Sequence, residues 1–166
     1  IVWNSVPSQL SKENKKFIYG VAKKGGRAKE FEVAIQWLID AGLIIKVGSV
    51  SNPTMPLKIY EDLSAFKLYL LDVGLLGAMA EIAPAILILP NNMKEAKGMF
   101  TENFVCSQLA ASIDRSIFYY SKENSPLEID FIIQEGSKIV PIEVKAEENL
   151  KSKSLSAFLQ QHAEMH

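Results

Sequence analysis

Three acids and a lysine fall on one patch if the segment Leu127 to Lys145 folds back on itself. With Gly136-Ser137 as the two loop residues, a spacing suited to a type II′ turn with Gly first, Asp130 lies opposite Glu143 and Glu128 opposite Lys145. Glu135 and Lys138 then form the hydrogen-bonded pair next to the turn. Pair types alternate outward, so both charged pairs occupy non-hydrogen-bonded sites, where side chains approach most closely. Pro141 faces Ile132 at a site of the same kind, and no ladder donor is lost there. Two facing carboxylates repel unless a cation or a proton sits between them, which makes Asp130 and Glu143 a candidate metal site.

The elements that must position this patch are legible in outline. A helix over about Met99 to Ser112 places Phe100, Phe104, Val105 and Leu109 on its buried stripe, with Glu102 beside that stripe and able to point toward the hairpin. A strand over Ser116 to Ser121, the two hairpin strands and a helix starting near Ser152 to Ser154 follow. A complete domain wants at least one strand more than this, and the expectation is a domain truncated at its C-terminus, the chain stopping at His166 before supplying that strand. Upstream, Phe66 to Leu70 alternates as a strand, and Asp72 caps a helix of about Val73 to Ile82.

The first 70 residues read as helix, helix, strand, wing, strand. Ser11 caps a helix from Lys12 to about Ala22, ended by Gly25-Gly26, and a second helix from about Ala28 to Ala41 stops at Gly42. Leu43 to Val47 is a strand, Gly48 to Pro56 a loop, and Leu57 to Tyr60 pairs back, the order of a winged helix-turn-helix. Lys23, Lys24, Arg27 and Lys29 cluster at the interhelical turn, where a DNA-binding version meets phosphates. The competing reading is a solvated face. Trp3 and Trp37 are better explained as core or interface than as base-stacking platforms.

Composition sets the bounds. The 166 residues, 48% hydrophobic and 22% charged, are enough for a real core and exclude a disordered chain. Residues 1–70 carry a balance of +4 and residues 71–166 one of −5, which suggests a module at 1–70, a connection at 71–97 and a second module at 98–166. The single cysteine, Cys106, excludes an internal disulfide and a multi-cysteine zinc site, and reads as core. The apolar run Ala83 to Leu89, broken by Pro84 and followed by Pro90, is too short to span a membrane. With no secretory signal, a cytoplasmic location is expected. The first residue is Ile1, which reads as a piece of a longer protein.

An acid in the helix (Glu102), an acid in the second strand (Asp130) and Glu-x-Lys in the third (Glu143 and Lys145) resemble the PD-(D/E)XK nuclease-like fold, with Gln160 or Gln161 near the place of an occasional helical glutamine. The fold expected is therefore α+β or α/β: a winged-helix-like module before a restriction-endonuclease-like α-β-β-β-α core. A wider resemblance rests on Phe17, Arg27-Ala28-Lys29, Trp37-Leu38, Asp40-Ala41-Gly42-Leu43, Pro56-Leu57, Phe66-Lys67-Leu68-Tyr69, Asp72-Val73-Gly74-Leu75-Leu76, Glu102-Asn103-Phe104-Val105 and Glu128-Ile129-Asp130-Phe131. These look like the C-terminal half of a bacterial and archaeal family that joins a P-loop, AAA-type ATPase domain to a winged-helix segment and the domain of unknown function DUF4143. The chain has no Gly-x-x-x-x-Gly-Lys-Ser/Thr run, so no nucleotide site is expected within it.

If the resemblance extends to chemistry, it implies Mg²⁺ or Mn²⁺ held by Asp130 and Glu143, with Glu102 direct or through water. Lys145 would stabilise developing negative charge, and Glu128 would hold Lys145 in place; the plain alternative for Glu128 is a cross-strand ion pair of about 0.2 to 1 kcal/mol. Two functions stand side by side: a metal-dependent nuclease acting on DNA, and a non-catalytic nucleic-acid-binding or protein-interaction module of the ATPase. The implied partners are the chain's own ATPase domain and DNA, with homo-oligomerisation open and no membrane.

Overall fold

The structure is a computed structural model and describes residues 1–12, 15–25, 27–87, 94–122, 125–146 and 152–162. Along the chain run helices α1 (Val2–Leu10), α2 (Tyr19–Ala22) and α3 (Ala28–Asp40), strands β1 (Ile44–Val50) and β2 (Glu61–Leu70), and helices α4 (Val73–Met79), α5 (Pro84–Leu87) and α6 (Lys94–Ser112). Strands β3 (Phe118–Ser121), β4 (Glu128–Glu135) and β5 (Lys138–Ile142) and helix α7 (Lys153–Gln161) complete it. The fold is mixed α+β, with five strands in one sheet ordered β2-β1-β3-β4-β5. The β1–β3 contact is parallel and the others antiparallel. Gly26, Ile88 to Pro90 and His166 lie outside the described residues.

The turn chemistry at Gly136 sets the hairpin as expected. Gly136 has φ +59° and Ser137 does not have a positive φ, the pattern of a type II′ turn, and the pairs run from Glu135↔Lys138 to Phe131↔Ile142. Asp72 caps α4 by accepting from the Leu75 N–H at 3.0 Å, and Ser152 caps α7 the same way through Leu155. Gly42, at φ +67°, ends α3.

Of the helix expected over Lys12 to Ala22, only Tyr19–Ala22 is helical among the described residues. Helix α1 lies earlier, with Val2, Val6, Gln9 and Leu10 buried and Pro7 inside it, and Ser11 takes its C-terminal cap position. Backbone pairing explains the difference. The Gln9 side chain holds both backbone groups of Ile18, at 2.9 and 3.1 Å, and the Phe17 N–H donates to the Phe66 carbonyl at 2.8 Å. Phe17 thus finds its partner on the edge of β2 and the Ile18 N–H its partner on α1, not in a helical turn.

The wing also differs. Leu57–Tyr60 is one 3₁₀ turn, and the returning strand is the longer Glu61–Leu70, paired from Ile44↔Leu70 upward. That register buries Phe66, Leu68 and Leu70, which pairing through Leu57 to Tyr60 would leave without a partner strand. Strand β1 then continues to Val50 and pairs with β3 through Gly48↔Phe118, Ser49↔Tyr119 and Val50↔Tyr120. The extra strand that the helix-strand-strand-strand-helix order wants comes from upstream, and one sheet joins residues on both sides of position 70.

Helices pack on both faces of the sheet. Val6, Leu10, Phe31, Ile35, Leu68, Tyr69, Cys106 and Phe131 belong to one buried cluster, and Phe118, Tyr120, Ile132 and Phe158 to another. On α6 the buried side is Met99, Glu102, Asn103 and Cys106, while Phe104, expected in the stripe, is 50% exposed. The polar pair takes the inner face because the sheet supplies its hydrogen-bond partners. Asn103 accepts from the Leu70 N–H at 2.8 Å and donates to the Leu70 carbonyl at 3.0 Å, closing the edge of β2 as another strand would. Asn103→Ala leaves both backbone groups buried and unpaired, and is expected to cost about 3 kcal/mol in a urea denaturation experiment.

Candidate functional site

Four segments converge on one face of the sheet: β2, α6, β4 and the residues after β5. The β3–β4 register slips between Phe118↔Ile132 and Tyr120↔Ile129, so Asp130 and Phe131 together oppose Tyr119. Such a bulge turns side chains away from strict alternation. Phe131 reaches the Tyr69 ring, 5.6 Å between centroids, and Asp130 comes under the charges of Glu102 and Lys67 beside it.

Lys67 was not singled out by its sequence context, yet it sits at the centre. Its side chain is fully buried, and its Nζ donates to Glu128 Oε1 at 2.6 Å, lies 3.9 Å from Glu102 Oε1 and stands 4.6 Å from the centre of the Tyr119 ring. Burial opposes the charge on Lys67, but the Glu102 and Glu128 carboxylates outweigh it and hold its pKa above the ordinary value. Glu102 is buried too. Its Oε1 accepts from the Tyr69 hydroxyl and its Oε2 from Lys15. Burial and the Glu102 charge push the Tyr69 hydroxyl well up in pKa, so it acts as a donor throughout. The Cys106 thiol is raised chiefly by burial, which suits an inert core residue.

Asp130 and Glu143 lie just beyond the last pair of the hairpin ladder, Phe131↔Ile142, near enough for the Glu143 charge to act on Asp130. Asp130 Oδ2 accepts from the Val144 N–H at 2.8 Å. Burial, then the charge of Glu102, outweigh that bond and the pull of Lys67, and raise the Asp130 pKa from 3.8 to about 6, with Glu143 adding to the rise. Glu143 Oε1 accepts from Lys145 Nζ at 2.6 Å, while its Oε2 is buried with no hydrogen-bond partner among the described residues. The pairing expected between Glu128 and Lys145 is replaced by these contacts. The ladder ends at Ile142, Lys145 turns to Glu143 two residues away, and Glu128 faces Lys67 across the sheet.

The donor set bears on the implied divalent ion. Both Glu102 oxygens already face a hydroxyl or an ammonium, and a divalent cation there would be repelled by Lys15 and Lys67. Among the described residues no group of three or more His, Cys, Asp or Glu converges closely enough to hold a metal ion. The three-carboxylate set Glu102, Asp130 and Glu143 therefore does not fit a metal. Asp130 with Glu143 is the pair that keeps free oxygens. At the other proposed surface, Lys23, Lys24, Arg27 and Lys29 are all exposed, and Lys23 pairs with Glu30 at 3.2 Å.

A raised carboxyl in the folded state means that the fold binds a proton more tightly than the unfolded chain does. The stability this lends is full below about pH 4 and is lost as the pH rises through about 6. Asp130→Asn removes that dependence. Its stability relative to the parent chain is expected to increase between pH 4 and pH 7, by on the order of 2 kcal/mol; denaturant titrations of both chains at several pH values check it.

Residues 97–166 match the family described as domain of unknown function DUF4143, as the resemblance implied. Residues 1–85 match a second family, described as domain of unknown function DUF8612. No curated protein and no solved structure matches. Among the described residues no helix is long and apolar enough to cross a membrane. The DUF8612 match takes in half of the chain, which therefore belongs to that family.

Proposed function

We propose that the chain is the C-terminal part of a P-loop ATPase and that its nuclease-like sheet serves there as a protein-interaction and assembly module. The acid cluster in this reading is a structural ion network and not a phosphodiesterase site. The observation that carries it is the Lys67 ammonium, buried 2.6 Å from Glu128 and 3.9 Å from Glu102, with Lys15 on the far oxygen of Glu102. The chain's own cations thus neutralise Glu102, one of the three acids that the nuclease resemblance would assign to the metal, and Glu128 beside it. The exposed side of α3 gives little support to DNA binding: besides the basic cluster it presents Glu32 and Asp40, which repel phosphates.

A second reading keeps Asp130 and Glu143 as ligands for Mg²⁺ or Mn²⁺, and the buried unpartnered Oε2 of Glu143 favours it. Magnesium commonly binds through only one or two carboxylates and waters. Once bound, such an ion would act as a Lewis acid on a phosphodiester. Asp130 and Glu143 would hold it, and Lys145 would supply positive charge beside it.

Two experiments decide between them. Thermal melts with increasing Mn²⁺ are expected to give the same small, unsaturating response for the parent chain and Asp130→Asn, with no cleavage of DNA. A saturable rise in melting temperature that Asp130→Asn abolishes would instead establish the metal reading. Separately, Lys67→Met leaves the partly buried Glu128 without its partner and the buried Glu102 with only Lys15 and Tyr69, and is expected to cost about 3 kcal/mol at neutral pH in chemical denaturation. A loss within about 1 kcal/mol would show that the network does not depend on this lysine.

A further inference from the structure

The outer side of α3 is apolar at its middle and oppositely charged at its ends. Lys29, Val33, Gln36, Trp37 and Asp40 share that side at 100° per residue, and all are exposed, Val33 by 80% and Trp37 by 64%. A large aromatic in water needs a reason, and the charges need one as well. A helix favours acids in its first turn and bases in its last; Glu30 meets the first preference beside this side of the helix, whereas on it Lys29 stands at the beginning and Asp40 at the end. Within the helix Asp40 accepts from the Gln36 amide at 2.7 Å, which leaves its second carboxylate oxygen for another partner.

We propose that this face is a self-complementary docking surface, and that its occupant is α3 of a second copy of the chain, packed antiparallel about a twofold axis. Val33 and Trp37 lie symmetrically about position 35, so each Trp37 meets Val33 of the other copy at the centre. Lys29 is six residues before that centre and Asp40 five after it, about 9 and 7.5 Å along the helix axis, so Lys29 of each copy meets Asp40 of the other. Charge complementarity of this kind fixes the antiparallel register and excludes the parallel one, in which like charges would face each other. A single helix face is a small interface, so the dimer is weak and forms reversibly. This inference goes beyond the proposed role of the acid cluster and does not depend on whether Asp130 and Glu143 bind a metal.

Sedimentation equilibrium of the 166-residue chain from micromolar to about 1 mM tests it. The parent chain is expected to show a monomer–dimer equilibrium that weakens with salt. Trp37→Ala raises the dissociation constant at least about tenfold, as expected for a central aromatic contact. Lys29→Asp and Asp40→Lys each weaken the dimer similarly, and the two together restore it, since the pair is then reversed and not lost. All of these side chains are exposed, and in the double exchange the gain with the helix dipole offsets the lost Gln36–Asp40 bond, so melting temperatures stay close to the parent's. A chain that remains monomeric throughout overturns the proposal. So does a dimer that Trp37→Ala leaves intact, or one that the double exchange fails to restore.

Discussion

A lysine ammonium with no access to water is the constraint around which the rest of this protein is arranged. Withdrawing such a charge from solvent costs several kcal/mol, and the interior must return it through carboxylates held at close range. Lys67 finds Glu128 on β4 and Glu102 on α6, with the Tyr119 ring of β3 beside it. Those partners lie far from it in sequence. Satisfying one charge therefore fixes the mutual placement of β2, α6 and the hairpin, and a register slip in any of them leaves at least one buried ion alone.

The same economy governs the uncharged polar groups. β2 would otherwise expose a row of backbone donors and acceptors, and the chain covers them with parts that are not strands: Phe17 pairs with Phe66, and the Asn103 amide with both groups of Leu70. At the opposite edge Pro141 faces outward from the hairpin, at a register position where a neighbouring strand would ask for an N–H. Elements from both family matches contribute to the one sheet, so each part completes the core of the other.

Local chemistry made the hairpin legible. A Gly-Ser reversal between two alternating strands leaves one register, and with it the juxtaposition of Asp130 and Glu143 follows. The caps at Asp72 and Ser152 are legible for the same reason, each depending on residues three apart. What escaped the sequence was decided over distance. Lys67 alternates with Phe66 and Leu68, so it reads as the solvent side of a half-buried strand, and only the helices covering both faces turn it inward. Three acids on the hairpin patch, Glu128, Asp130 and Glu143, against the single Lys145 there were the available hint that another cation must be near. The bulge at Asp130 and Phe131 carries no turn signal, and the buried side of α6 shows that a polar pair with partners can displace a phenylalanine from the core.

The charge state of Lys67 tests the account most directly. The side-chain nitrogen of that residue can be followed by ¹⁵N NMR while the folded chain is titrated with base. A slowly exchanging ammonium that remains protonated beyond 10.5, its ordinary pKa, is the predicted result, because the two carboxylates hold the proton on it. A lysine that gives up its proton well below that value, or exchanges as freely as one on the surface, would contradict the ion network on which the fold and the proposed function rest.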